Sequence, residues 1–147
     1  MVAYDTNNIL AKILRHEIPS VRVYEDKATL AIMDIMPRTQ GHLLVIPKAP
    51  VRNMLDDKVK DILPELMATV WHLARAAQSA LQAHGITIEQ FNEKAGGQSI
   101  FHLHVHILPR WEGIPLRPPM MHKEEVSVLE SQAKAIADQL AATHNAE

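Results

Sequence analysis

The stretch Ile100-Phe-His-Leu-His-Val-His-Ile-Leu-Pro109 alternates apolar residues with histidine without a break. A strand sends successive side chains to opposite faces, so Phe101, Leu103, Val105 and Ile107 share one side while His102, His104 and His106 share the other. The pattern predicts one face set into a core and one face of imidazole, with neighbouring histidines about 6.6–7 Å apart along the strand. Neutral imidazoles in such a row offer donors, acceptors and a nucleophile, all titrating near neutral pH. A solvent-facing strand needs only Thr, Lys or Glu at those positions, so three histidines in this register point to chemistry rather than to scaffold.

Length and charge limit what surrounds that strand. The chain has 147 residues, enough for one domain with a sizeable core and short for two. Fifteen Lys and Arg against seventeen Asp and Glu give a net charge of −2, which argues against a broad footprint for nucleic acid polymers while leaving small anionic ligands open. With no cysteine there is no disulfide, thiol nucleophile or Cys-ligated zinc. Residues 1–8 are polar, and no apolar run approaches the roughly 20 residues of a membrane span. These features predict a soluble, cytoplasmic protein.

In chain order, Ile9, Leu10, Ile13 and Leu14 recur at helical spacing, with Asn7 or Asn8 to cap and Pro19 to stop the run; this helix is either a lid on a sheet or an apolar wall for a flat ligand. Val21–Glu25 and Ala28–Asp34 alternate around a polar turn and predict a hairpin. Asp34 closes it, either capping the turn or accepting hydrogen bonds from two sugar hydroxyls. His42 opens a short apolar strand closed by Pro47, and matters for chemistry only if that strand lies beside the histidine strand.

A long helix is expected from about Asp61 to His84, with Leu63, Leu66, Met67, Val70, Ala74, Ala77 and Leu81 inward, Thr69 elsewhere, Pro64 in its first turn and Gly85 at its end. Ile86–Asn92 reads as a strand, and Gly96-Gly97 makes a turn whose amides can form an anion-binding nest beside the imidazole face. After a proline-rich stretch, Glu124–Ala142 has the stripe Val128, Leu129, Ala133, Ile136, Ala137 and Leu140 of a tail helix, followed by a frayed end. The predicted class is α+β, with about five strands in one antiparallel sheet, a short first helix, a long central helix and a helical tail.

His102-Leu-His104-Val-His106-Ile-Leu resembles the signature of the histidine-triad (HIT) proteins of the Hint/Fhit type. The similarity extends through Ile9–Pro19, Asp34-Ile-Met-Pro37, Gly41–Lys48 and Gly97-Gln-Ser99, placing a HIT-like core at about residues 7–111 and a tail at 112–147 of a single domain. The resemblance implies a nucleotidyl hydrolase or transferase acting on a purine nucleotide with a substituted α-phosphate, needing no cofactor or metal and working as a homodimer. It implies that His104 is the nucleophile and forms a nucleotidyl-histidine. His106, Ser99 and Gln98 would serve the phosphate and leaving group, and His102 and His42 would support them. Asp34 would bind ribose, Asn92 and Gly97 would lie near the phosphate, and Ile9, Leu10, Ile13 and Ile32 would wall the base pocket. A zinc-dependent hydrolase using His102, His104 and His42, or a nucleotide-binding adaptor with negligible turnover, are the competing expectations.

Overall fold

Asn8 starts the first helix: its side-chain oxygen accepts from the amide of Ala11, so α1 spans Ile9–Leu14. It ends well before Pro19, because His16 turns into the left-handed region at φ 63°. This computed structural model describes residues 2–146, so Met1, in the polar stretch 1–8, and Glu147, at the expected frayed end, lie outside the described residues.

Five strands follow, β1 (Arg22–Glu25), β2 (Thr29–Met33), β3 (Leu43–Pro47), β4 (Gly85–Glu89) and β5 (Val105–Arg110), forming one antiparallel sheet in the order β1-β2-β3-β5-β4. The turn between β1 and β2 is held by Asp26, whose carboxylate accepts from the amides of Ala28 and Thr29. Two long helices, α2 (Val59–Leu81) and α3 (Val126–Ala146), cover one face. Ala31, Met33, Leu43, Val45, Val105 and Ile107 meet them there, against Leu66, Val70, Leu73, Leu129 and Ile136. On the opposite face Leu30, Ile32, Leu44 and Ile46 are covered by Leu10 and Ile13 of α1. A six-residue helix is too short to cover five strands, and it leaves the part of this face beside it, where His104 and His106 are half-buried, open as a cleft.

Several boundaries differ from expectation, each for a local reason. α2 begins at Val59, so Pro64 falls outside its first turn; an Asx turn at Asp56, accepting from the amide of Lys58, and the burial of Val59 start the helix early. It ends on left-handed Gln82, while Gly85 begins β4. Its inner stripe includes Thr69, buried because its hydroxyl meets that of Thr29 at 2.9 Å, whereas Met67 is exposed. The tail helix starts at Val126, since the amide of Glu124 is tied to the carbonyl of Ile35, and it leaves Val128 exposed.

The largest departure concerns the histidine stretch. Its ladder begins only at Val105, not at Ile100. The amide of Leu103 bonds to the carbonyl of Val51, and the carbonyl of His102 accepts from the neighbouring His104 ring, so neither group is left for a sheet partner. Leu103, Val105 and Ile107 still face the core, but His102 is turned inward and buried.

Candidate active site

β3 does lie beside β5, with Leu44 opposite His106, and this brings His42, His104 and His106 together. Their hydrogen bonds set each tautomer. The amide of Arg38 donates to His42 Nδ1 (3.1 Å), so His42 carries its proton on Nε2 and donates to His106 Nδ1 (2.9 Å). His106 therefore presents Nε2–H to the cleft. His104 donates from Nδ1 to the carbonyl of His102 (2.7 Å), which leaves the lone pair on its Nε2. His102 donates from Nε2 to the carbonyl of Pro47 (2.8 Å) and accepts at Nδ1 from the Tyr4 hydroxyl. Of these four rings His42 and His102 are buried, while His104 and His106 are half-buried and open to the cleft side.

Around them, Asp34 caps the turn after β2 with one carboxylate oxygen, which accepts from the amide of Met36 (2.8 Å), while its other oxygen stands 3.6 Å from His42 Nε2. Leu10, Ile13 and Ile32 are buried together in the apolar cluster under α1, whereas Ile9 is 43% exposed and lies on the helix's outer side.

The loop before the histidines is built differently from a phosphate nest. Residues 94–96 form a single 3-10 turn in which the amides of Gly96, Gly97 and Gln98 bond to Glu93 and Lys94 carbonyls, so these amides are spent inside the turn. Exposed Ser99 stands outside those bonds. Gln98 is 4% exposed, and its amide is consumed by the protein: Oε1 accepts from the Glu93 amide (2.8 Å) and Asn53 Nδ2 (2.9 Å), and Nε2 donates to the carbonyls of Arg52 (2.9 Å) and Ile100 (3.0 Å). With all four bonds made inside the protein, the side chain of Gln98 acts as a clamp. Asn92 accepts from the amide of Met54 and pairs with Gln90, which ties the same loop to the segment before α2. Gly97 sits at φ +97°, and a Cβ there would come 3.1 Å from the Phe91 ring, whose edge packs against His106.

Residues 15–113 match the family model described as the HIT domain. The chain belongs to the HIT family. The Bacillus subtilis protein named Protein hit is 38% identical over 105 residues, covering 71% of this chain and 72% of that protein. The Escherichia coli purine nucleoside phosphoramidase is 33% identical over 120 residues, covering 78% and 94% respectively. A crystal structure of a Hit-like protein from Bartonella henselae, described as involved in cell-cycle regulation, superposes with a TM-score of 0.88 at 50% identity, covering 94% of this chain and 99% of that one.

In this HIT protein the buried imidazoles are held neutral. Burial pushes His42 and His102 down to about 4, helped by the charges of Arg38 and His104 at His42 and of His104 at His102. Burial and the neighbouring His104 and His42 take His106 down to about 3, and burial lowers His104 as well. The unfolded chain takes up protons below about 6.5. The native chain refuses them until about 4, so stability falls as pH drops through that window. Thermal melts should show Tm decreasing steadily between pH 6.5 and 4; a Tm unchanged from pH 7 to 5 contradicts this.

The expected zinc set of His102, His104 and His42 does not converge, because both nitrogens of His102 are engaged elsewhere. Among the described residues, the metal-capable atoms that do cluster belong to Asp34, His42 and His106. A metal on His42 Nε2 would have to displace the proton shared with His106 and place a second N–H against the amide of Arg38.

Two contributors were not legible in the chain. Tyr4 lies in the N-terminal polar stretch, 98 residues from the His102 ring it holds, with Asn8 donating to its hydroxyl. Arg38 lies in a loop whose partners, Glu89 and Arg117, are distant in sequence. Neither follows a periodicity or motif; Asn8 as the N-cap was the nearest signal. No helix of the described residues is long and apolar enough to cross a membrane.

Proposed function

We propose that this HIT protein is a nucleotidyl hydrolase or transferase that opens a nucleotide at its substituted α-phosphate through a covalent intermediate on His104. The observation that carries this is the pair of opposed tautomers: His104 Nε2 has a lone pair because Nδ1–H is committed to the His102 carbonyl, while His106 offers Nε2–H beside it. A neutral imidazole needs alignment more than a strong base, and phosphoryl transfer depends on positioning and on neutralising oxygens.

His104 Nε2 attacks the α-phosphorus and the N–P bond forms as the bond to the leaving group breaks, its electron pair departing with that group. An amine so released takes its proton from solvent. His106 Nε2–H and the Ser99 hydroxyl donate to the phosphate oxygens. Water then attacks the phosphorus and gives up a proton to solvent, the N–P pair returns to His104, and a nucleoside monophosphate such as AMP is released. Asp34 binds the ribose hydroxyls through the oxygen its turn does not use, and Leu10, Ile13 and Ile32 flank the base. Asn92 and Gly97 border the phosphate, and the name of the E. coli relative supports a purine base.

The protein is proposed to act in the cytoplasm as a homodimer, since β4 is an edge strand with Ile88 49% exposed and an uncovered edge invites pairing. Light scattering that finds only monomer at micromolar concentration removes the dimer from this reading. The chemistry is tested by mixing the metal-free protein with adenosine 5′-phosphoramidate, quenching early at neutral-to-basic pH and weighing the intact protein. An added adenylyl mass with AMP release is the expected result. AMP-dependent thermal stabilisation without adduct or turnover favours the adaptor instead.

A further inference from the structure

Arg38 is placed to do more than support the loop after β2. Its amide holds His42, its Nε donates to the carbonyl of Arg117 (2.8 Å), and the amide of Arg117 returns a bond to the Arg38 carbonyl (2.8 Å). The tail segment thereby fixes both the backbone and the side chain of Arg38. The guanidinium is aimed at Glu89, 3.7 Å away, and Glu89 stands opposite His106 across the β4–β5 ladder. Its charge is close enough to weigh on both His42 and His106. So a guanidinium sits at the β4 side of the His106 end of the cleft, while the apolar cluster under α1 lies on the β2–β3 side.

A nucleotide with its base beside Leu10 and Ile13 and its phosphorus at His104 and His106 runs from β2 towards β4. The group beyond the phosphorus is then carried to the Arg38 side. The ion pair with Glu89 does not saturate Arg38: at 3.7 Å it is looser than the roughly 2.7–2.9 Å of a charge-assisted hydrogen bond, and among the described residues Nε alone donates at hydrogen-bond distance.

We propose that Arg38 is a specificity residue for the leaving group, favouring nucleotides that depart from a phosphate chain over those that depart from a neutral amine. This rests on the nucleotidyl-transfer reading of the same site. When the leaving group is a phosphate chain, the His104–phosphorus bond forms as the phosphorus–oxygen bond breaks, and the electron pair stays on the departing oxygen. That oxygen needs a countercharge rather than a proton, and a guanidinium fork matches phosphate geometry. An amine needs a proton and gains nothing from a fixed cation.

The test compares kcat/KM for diadenosine tetraphosphate and for adenosine 5′-phosphoramidate in wild type, Arg38→Gln and Arg38→Lys, with far-UV melts to show that each variant is folded at the assay temperature. The ratio of the first substrate to the second should fall about tenfold to a hundredfold in Arg38→Gln, the scale of one lost charge-assisted hydrogen bond, and by less in Arg38→Lys. A ratio in both variants within about twofold of wild type, on the same scale, makes Arg38 a structural ion-pair partner and overturns the proposal while leaving the nucleotidyl-transfer reading intact. Wild type turning over neither substrate removes that reading, and the role of Arg38 falls with it.

Discussion

His104→Ala should lower AMP release from adenosine 5′-phosphoramidate by at least about a thousandfold and abolish the adenylyl adduct, because no other group offers phosphorus a lone pair fixed by the same arrangement. His42 Nε2 and His102 Nε2 carry protons committed to His106 and to the carbonyl of Pro47, and His106 Nδ1 is occupied by His42. The variant should nevertheless bind AMP, since Asp34 and the apolar cluster under α1 are untouched, and an AMP-dependent rise in Tm separates lost chemistry from lost binding. Release of AMP by the variant at the wild-type rate would sink the assignment of the nucleophile.

Gln98→Leu should destabilise the fold by about 3–5 kcal/mol, from several buried polar groups left without partners at about 1–3 kcal/mol each. The side chain is of similar size, so the loss reflects the orphaned amide of Glu93 and carbonyls of Arg52 and Ile100 rather than a cavity. Asn53 keeps two of its bonds, donating to Glu93 and accepting from the amide of Leu55, and the Glu93 carboxylate is held below its usual range by hydrogen bonds from Arg52 and Asn53. Activity should drop as well, because the turn that leads into the histidine stretch loosens. The denaturant midpoint decides between a clamp and a substrate contact. A variant of wild-type midpoint with impaired catalysis would mean that Gln98 acts on the leaving group, despite its four internal hydrogen bonds.

The order of helices and strands was legible because apolar periodicity reports burial on one side of an element, and burial dominates this fold. The single antiparallel sheet followed from short turns such as Asp26–Ala28, where a carboxylate accepts from the next amides and brings the chain back. The ends of elements were less legible. Thr69 turned inward because Thr29, 40 residues away, supplies a hydroxyl, and no helical stripe records that.

What the sequence by itself determined was the inventory and its local register: alternation put Leu103, Val105 and Ile107 in the core, and the same alternation kept His104 and His106 on the other side. Only the tertiary structure decided which nitrogen of each ring carries a proton. It buried His102 between Tyr4 and the carbonyl of Pro47, set His42 between the amide of Arg38 and His106, and spent Gln98 on its own loop. The physical reason is that apolar burial is additive and non-directional, so local spacing records it. A hydrogen bond needs one donor at one distance and angle, and that donor can come from anywhere in the chain.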